Sequence, residues 1–583
     1  MIPFRNSRRA FLTALALAAI GCGSAGAQEN RRGFYAPPAA GTTHPVFAEH
    51  GMVVAQEKLA AQIGADILRQ GGNAVDAAVA TGFALAVTYP RAGNIGGGGF
   101  MIIHSADRNE DVAIDYRETA PAATTRDLFL GADGKPDIAK SRDSALAIGV
   151  PGSVAGLAMA LAKYGSGRLT LADILKPAIA LAQRGVVIAD DSADTLPEWH
   201  KRLARWPSST KIFSRSDGAS LREGDTLIQT DLAATLSAIS EQGPRGFYEG
   251  PVAEKLVNTI RAAGGIMTQD DLKSYRPVIR APVRGSYRGY DIVSMPQPSS
   301  GGVVLLETLN ILEGFAMRDM AQGSVPSLHV MIEAMKRAYA DRARYLGDPA
   351  FVNAPISALI AKDYAAKQRA GIDPARATPW TDALSAVPPR EGSNTTHFSV
   401  IDSRGNAVSN TYTLNFSYGV GLVAEGTGVL LNNELDDFTA APGASNAFGL
   451  VGFEANLPGP GKRPLSSMAP TIVLKDGKPV LVTGSPGGSR IISAVLQVIV
   501  NVLDYNMDVA AAVAAPRLHH QWLPDEVRME RGFSDETLAA LKAMGHVIVV
   551  PLGQTSANSI AVTPRGLLGA PDPRTRGAEA AGQ

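Results

Sequence analysis

The sequence predicts a mixed α/β chain with an antiparallel hairpin at its centre. Three observations carry this. Residues Thr395 to Asp402 alternate, with Thr395, His397 and Ser399 on one face and Phe398 and Val400 on the other. Asn406 to Phe416 alternates too, with Ser409, Thr411, Thr413 and Asn415 opposed by Val408, Tyr412, Leu414 and Phe416; a period of two marks strands. Elsewhere apolar residues recur at helical spacing, so helices and strands interleave along the chain.

At the N-terminus, Ser7-Arg8-Arg9-Ala10-Phe11-Leu12 reads as a twin-arginine export motif. The apolar run from Phe11 to Ile20 is shorter than the about 20 residues of a spanning helix. Ala25-Gly26-Ala27 offers a small-residue cleavage site, with a mature start at Gln28. Residues 1–27 are therefore expected to be an export signal. The protein is expected to be periplasmic or secreted, with no stable membrane span. Ala19-Ile20-Gly21-Cys22 supports a rival reading, in which Cys22 is lipidated. Simple cleavage is preferred, because charge, apolar run and cleavage site occur in order. Cys22 is the only cysteine, so no intrachain disulfide can form.

Leu59, Ile63 and Ile67 form a helical stripe that stops at Gly71-Gly72, and Val75, Val79, Phe83 and Val87 continue in a second helix ending before Pro90. Leu171 to Gln183 reads as helical with Thr170 as N-cap, and Pro177 is expected to kink or split it. Gly371 to Ser393 lacks periodicity, contains Pro374, Pro379, Pro388 and Pro389, and reads as a mobile linker. Thr439 to Pro464 is rich in Ala, Gly and Pro; so long a loop in a compact domain is usually functional or disordered. There are no internal repeats.

Between the two central strands lies Ser403-Arg404-Gly405, with Gly placed for the left-handed position of a three-residue turn. Pairing Asp402 with Asn406 sets Thr395 opposite Thr413, with Asn415 two residues further on the same face. A slip of one residue would flip the faces, and a Thr-rich face turned to solvent is the ordinary alternative. A threonine hydroxyl is a poor nucleophile without an adjacent base. A chain that cuts itself before the threonine frees an α-amine to serve as that base. Thr395 is thus the candidate nucleophile of an enzyme made as an inactive precursor and cut between Asn394 and Thr395.

The chain has 583 residues, 45% hydrophobic and 19% charged, with 55 Lys+Arg against 55 Asp+Glu. This is a globular balance with ample core, and a net charge near zero gives no reason to expect nucleic acid or an anionic membrane as partner. Length alone suggests about four domains of roughly 150 residues. Several motifs fail. Gly96 to Gly99 and Gly459-Pro460-Gly461-Lys462 lack the residues that complete a phosphate loop. His519-His520 is an adjacent pair rather than ligands spaced i, i+4, so no metal is expected. Ser208-Ser209-Thr210-Lys211 lacks the companion motifs of penicillin-recognising enzymes, and there is no Gly-x-Ser-x-Gly elbow.

Seven longer motifs remain: Gly93-Asn94-Ile95-Gly96-Gly97-Gly98-Gly99-Phe100-Met101; Asp115-Tyr116-Arg117-Glu118; Asn394-Thr395-Thr396-His397; Asn432-Asn433-Glu434-Leu435-Asp436-Asp437-Phe438; Arg463-Pro464-Leu465-Ser466-Ser467-Met468; Gly484-Ser485-Pro486-Gly487-Gly488-Ser489-Arg490; and His519-His520-Gln521-Trp522-Leu523-Pro524-Asp525. In this order and spacing, from about Ala48 to near the C-terminus, the chain resembles the bacterial γ-glutamyltranspeptidases (γ-glutamyltransferases). The resemblance implies one αββα sandwich of the N-terminal-nucleophile hydrolase type. Two interwoven subunits would form it after self-cleavage: a large one, 28–394, ending in the linker 371–394, and a small catalytic one, 395–583, carrying a lid at 439–464.

The resemblance also implies roles. Thr395 would attack the donor amide, Thr413 would hold its hydroxyl, and the N–H groups of Gly487 and Gly488 would receive the oxyanion. Arg117 would take the donor α-carboxylate with Ser466 and Ser467, while Asn415, Glu434 and Asp437 would take the α-ammonium. The donor would be glutathione or another γ-glutamyl compound, the acceptor water, an amino acid or a short peptide, and no cofactor is implied. The rivals are a glutaryl-cephalosporin acylase of the same family and an unprocessed, inactive glutathione-binding paralogue. One departure stands out: where relatives carry a lid tyrosine bonded to the equivalent of Asn415, this chain has Phe448.

Overall fold

The computed structural model describes residues 43–380, 394–550 and 555–583. The leader 1–27, with Arg8, Arg9 and Cys22, lies outside the described residues, as do 381–393 of the expected linker.

The hairpin forms in the expected register. Thr395–Ile401 pairs antiparallel with Ala407–Thr413, Thr395 opposite Thr413. At the turn, Asp402 N donates to the Asn406 carbonyl at 3.0 Å, and Gly405 takes a φ of 86°, where a Cβ would be strained. The Asp402 carboxylate accepts from the backbone N–H groups of Arg404 and Asn406, locking the loop.

The hairpin sits inside a seven-stranded antiparallel sheet in the order Glu579–Gly582, Met52–Ala55, Thr395–Ile401, Ala407–Thr413, Gly98–Ser105, Glu110–Tyr116 and Val278–Arg280. A second seven-stranded antiparallel sheet runs Val46–Ala48, Gly566–Ala570, Ser559–Thr563, Lys478–Thr483, Thr471–Lys475, Tyr290–Ser294 and Val283–Tyr287. The apolar hairpin face, Phe398, Val400, Val408 and Tyr412, packs with the helices Lys58–Arg69, Ala74–Thr88, Ser153–Tyr164 and Leu171–Arg184. The other face meets the second sheet. Helices Gly301–Glu313, Val325–Tyr345 and Ile491–Leu503 complete the second core. The layers are α, β, β, α, as the resemblance implies.

Every residue of both hairpin strands is buried. The threonine-rich face is therefore a polar seam between two sheets, and the solvent-facing alternative fails. Buried polar groups need partners, and the seam supplies them. Ser409 Oγ donates to the Thr483 carbonyl at 2.9 Å, Ser399 Oγ to that of Asn558 at 2.8 Å, and His397 bonds Thr411 Oγ1 at 2.9 Å. Burial pushes the His397 imidazole down to about 3, so it is neutral.

Two expectations need correction, at Pro177 and in the linker. Leu171–Arg184 is one helix despite Pro177. Thr170 closes a capping box with Asp173, and the apolar face is buried, so packing outweighs the lost hydrogen bond. The first helix, Lys58–Arg69, forms as expected: Ile67 is buried, Leu59 and Ile63 pack against the core, and Ala60, Ala61, Gly64, Ala65 and Leu68 complete its buried face. Small residues are required there, because a Cβ on Gly64 would lie 2.3 Å from Thr81 Oγ1 of the next helix. Finally, the described start of the linker is docked rather than mobile. His329 Nε2 lies 2.7 Å from the Asp373 carbonyl, Lys336 Nζ donates to that of Thr378, Ala377 N donates to that of Met544, and Trp380 packs edge-on against Trp522. Prolines remove periodicity, but side chains of the helix Val325–Tyr345 still satisfy this backbone.

Candidate active site

The nucleophile position lies at the first residue of a central strand. Thr395 Oγ1 is 3.5 Å from Thr413 Oγ1, and Thr413 Oγ1 donates to the Asn394 carbonyl at 3.0 Å while accepting from Asn415 N at 2.9 Å. Ser417 Oγ bonds the Asn394 side chain at 3.1 Å.

A cavity of about 20 Å³ opens from Thr395, room for little more than one water. Thr395, Thr413, Asn415, Arg117, Glu434, Asp437, Ser466, Ser467, Phe448 and Gly488 all line it. The expected site residues outside this lining are Gly487 and Asn394, each the chain neighbour of one that lines it. Gly487 and Gly488 both have positive φ, 131° and 58°, and they lead through a short turn into the helix Ile491–Leu503. The cavity thus abuts a helix N-terminus, where partial positive charge gathers.

Arg117 ends the strand Glu110–Tyr116 and is fully buried. Its guanidinium is bonded by Glu434 and Asp437, with Glu118 at 4.0 Å, and its Nε donates to the Pro464 carbonyl at 3.1 Å. Burial disfavours the Arg117 charge, but these carboxylates outweigh it and hold its pKa above normal. Burial raises all three carboxyls, Glu118 to about 8, with Arg117 opposing the rise. Arg342 adds a second positive influence on Asp437.

Several participants escaped sequence reasoning. Glu118 and Asn433 lie inside quoted motifs but carried no role. Glu118 has both side-chain oxygens buried without a hydrogen-bond partner, and the Asn433 carbonyl accepts from Asn415 Nδ2 at 3.0 Å. Arg342 donates to Ser467 Oγ at 3.4 Å, and burial lowers it to about 10; nothing in its helix marks it from sequence. Leu450, Met468 and Ile491 supply apolar wall.

Phe448 and Leu450 bring the 439–464 loop, the expected lid, to the cavity wall. Phe448 stacks on Phe416 with ring centres 5.6 Å apart and packs against Gly488, where a Cβ would lie 2.5 Å from its ring. Its carbonyl accepts from Gln521 Nε2 at 3.1 Å. Closure therefore uses apolar stacking. The motifs set aside have structural partners: Ser208 and Ser209 hydroxyls donate to the carbonyls of Val423 and Gly421, and His520 bonds Asp525 at 3.1 Å.

An αββα sandwich with a buried threonine opening a central strand defines the N-terminal-nucleophile hydrolase class. The sequence profile described as Gamma-glutamyltranspeptidase matches residues 60–582. The chain is 51% identical over 534 residues to the "Glutathione hydrolase proenzyme" of Escherichia coli (strain K12), covering 91% of this chain and 92% of that one. It is 47% identical to the protein of the same name from Pseudomonas sp. (strain A14), covering 91% and 94%. Among solved structures, the cephalosporin acylase from Bacillus halodurans superposes with a TM-score of 0.81 at 29% identity, covering 94% and 98%. The chain belongs to the gamma-glutamyltranspeptidase family and is an enzyme of that type. Among the described residues no helix is long and apolar enough to cross a membrane.

Proposed function

We propose that the chain cuts itself between Asn394 and Thr395, and that the product transfers γ-glutamyl groups from glutathione and related donors through an ester on Thr395. The mature enzyme would be a heterodimer of 28–394 and 395–583. In the first reaction Thr395 Oγ attacks the Asn394 carbonyl, whose developing charge is met by the Thr413 hydroxyl. The acyl group moves from N to O, which frees the Thr395 amine, and water then hydrolyses the resulting ester, releasing Asn394 as a carboxylate and restoring the Thr395 hydroxyl. In the second, that amine takes the hydroxyl proton, with an ordinary pKa of about 7.7–8.0 suited to the task. Thr395 then attacks the donor γ-carbonyl, and the N–H groups of Gly487 and Gly488 stabilise the oxyanion, at roughly 3–4 kcal/mol per donor. The amine product leaves, and water, an amino acid or a short peptide takes the acyl group.

One observation carries the donor assignment: a single cavity joins Thr395 to a buried cation and to carboxylates. An α-amino-acid head would exchange for the internal pairs, its carboxylate going to Arg117, with Ser466 and Ser467, and its ammonium to Glu434, Asp437 and Asn415. A glutaryl chain would displace the carboxylates from Arg117 and offer no ammonium, and an unpaired buried charge costs about 3–5 kcal/mol. This favours γ-glutamyl donors over the acylase reading. Because the cavity holds only about 20 Å³, the 439–464 loop that contributes Phe448 and Leu450 to its wall would have to move to admit them. Turnover of glutathione against glutaryl-cephalosporin tests the assignment; preferred turnover of the latter would reverse it. Export is proposed to use Arg8 and Arg9 of the 1–27 leader, and fractionation of an Arg8→Lys, Arg9→Lys variant tests that.

A further inference from the structure

On the outside of the first helical layer lies a groove of about 860 Å³, within the size range of small-molecule sites, roughly 300–1,000 Å³. It is separate from the cavity at Thr395 and shares none of its lining. Ala158, Met159, Leu161 and Leu169 line it with the buried rings of Tyr248 and Tyr275, which stack 5.9 Å apart and only 7° from parallel. The floor is pre-formed, because the phenol tips are tied down: Tyr248 Oη donates to the Pro151 carbonyl at 2.9 Å and Tyr275 Oη to the Arg117 carbonyl at 2.8 Å.

The rim is basic. Lys163, Arg245, Lys273 and Arg276 border the groove against one acid, Glu249. Arg245 reaches Glu249 at 3.9 Å. Among the described residues Lys163, Lys273 and Arg276 have no carboxylate partner within salt-bridge distance. An apolar trough with a cationic rim complements a ligand with an apolar tail and one anionic head.

We propose that this groove binds a free long-chain fatty acid, tail along the tyrosine floor and carboxylate at the Lys163–Lys273–Arg276 rim, and that occupancy reaches the donor site through Tyr275. The second half rests on the reading of Arg117 given above. Tyr275 spans the two sites: its ring is groove wall, and its hydroxyl fixes the backbone of Arg117.

The test is titration of the full chain with the fluorescent fatty acid cis-parinaric acid. Saturable one-to-one binding is expected, displaced by palmitate but at least tenfold less well by hexadecanol, which has the tail without the charge. Lys273→Glu, an exposed site that leaves the fold untouched, should weaken binding at least fivefold, and Ala162→Trp, which fills the groove from its exposed edge, should abolish it. No saturable binding, equal displacement by hexadecanol, or binding indifferent to both variants would overturn the site. Palmitate should also shift donor KM at least twofold in wild type and not in Tyr275→Phe. Binding with an unmoved KM would overturn the coupling alone, and an Arg117→Lys variant with normal KM would instead fault the reading it rests on.

Discussion

At one end of the cavity two threonines face each other on adjacent strands, neutral and held by backbone groups. At the other end Arg117 lies among Glu118, Glu434 and Asp437, all chargeable and drawn from separate stretches of chain. The neutral end is bonded to the Asn394–Thr395 peptide, the proposed cleavage point, since Thr413 donates to the Asn394 carbonyl. At the charged end the carboxylates of Glu434 and Asp437 pair with Arg117. On the function proposed above, self-cleavage would need only the neutral end, while donor recognition would need the charged end and would first break its internal pairs.

Removing the neutral end should have the largest effect. Thr395→Ala should abolish both cleavage and activity, while Thr395→Ser should retain some cleavage. Thr413→Val keeps the shape but loses the hydroxyl on the scissile carbonyl. Self-cleavage should slow about 10²–10³-fold, as when an oxyanion donor is deleted. Denaturing gels over time read both, and a Thr395→Ala protein that still gives two bands would break the comparison.

Arg117→Lys should spare cleavage and raise donor KM, because a point charge cannot replace a planar fork. Loss of one charge-assisted bond, about 1.5–3 kcal/mol, corresponds to roughly ten- to hundredfold in KM. Loss of processing in this variant would merge the two ends.

The charged end also predicts a pH dependence. Burial raises Glu118 to about 8, so the folded chain keeps a proton that the unfolded chain releases at the ordinary carboxylate value. Folding is therefore penalised progressively as pH rises from that value toward 8. Glu118→Gln has no proton to lose, and its Tm relative to wild type should climb between pH 5 and pH 8. A constant difference would contradict the raised carboxyl.

The smallest effect belongs to the lid. Asn415 Nδ2 is satisfied by the Asn433 carbonyl, and the Phe448 side chain covers the cavity by stacking on Phe416. Phe448→Tyr adds a hydroxyl able to donate to the Asn415 side-chain oxygen. A net bond of about 0.5–1.5 kcal/mol should lower donor KM roughly two- to tenfold. An unchanged or higher KM would show that closure depends on a different contact.

The contrast between the ends also explains what was legible in the sequence. The Thr395–Thr413 register follows from a three-residue turn and strict alternation, both local, so it could be counted out. That its polar face is a seam between sheets could not, since the second sheet comes from residues 46–48, 283–294, 471–483 and 559–570. Arg117, Glu434 and Asp437 were named through motif resemblance, but their mutual pairing is tertiary and unmarked by spacing. The same holds for Arg342, and for the docked 371–380 segment, whose partners lie on a helix dozens of residues away. Pro177 misled because a local rule yielded to burial of the helix face.

The claim that the neutral end acts alone is tested most directly by intact-mass measurement of freshly purified wild type and Arg117→Lys side by side. Both should give two chains at the same rate, the smaller beginning at Thr395. An active single uncut chain, a junction elsewhere, or an Arg117→Lys chain that stays whole would contradict it.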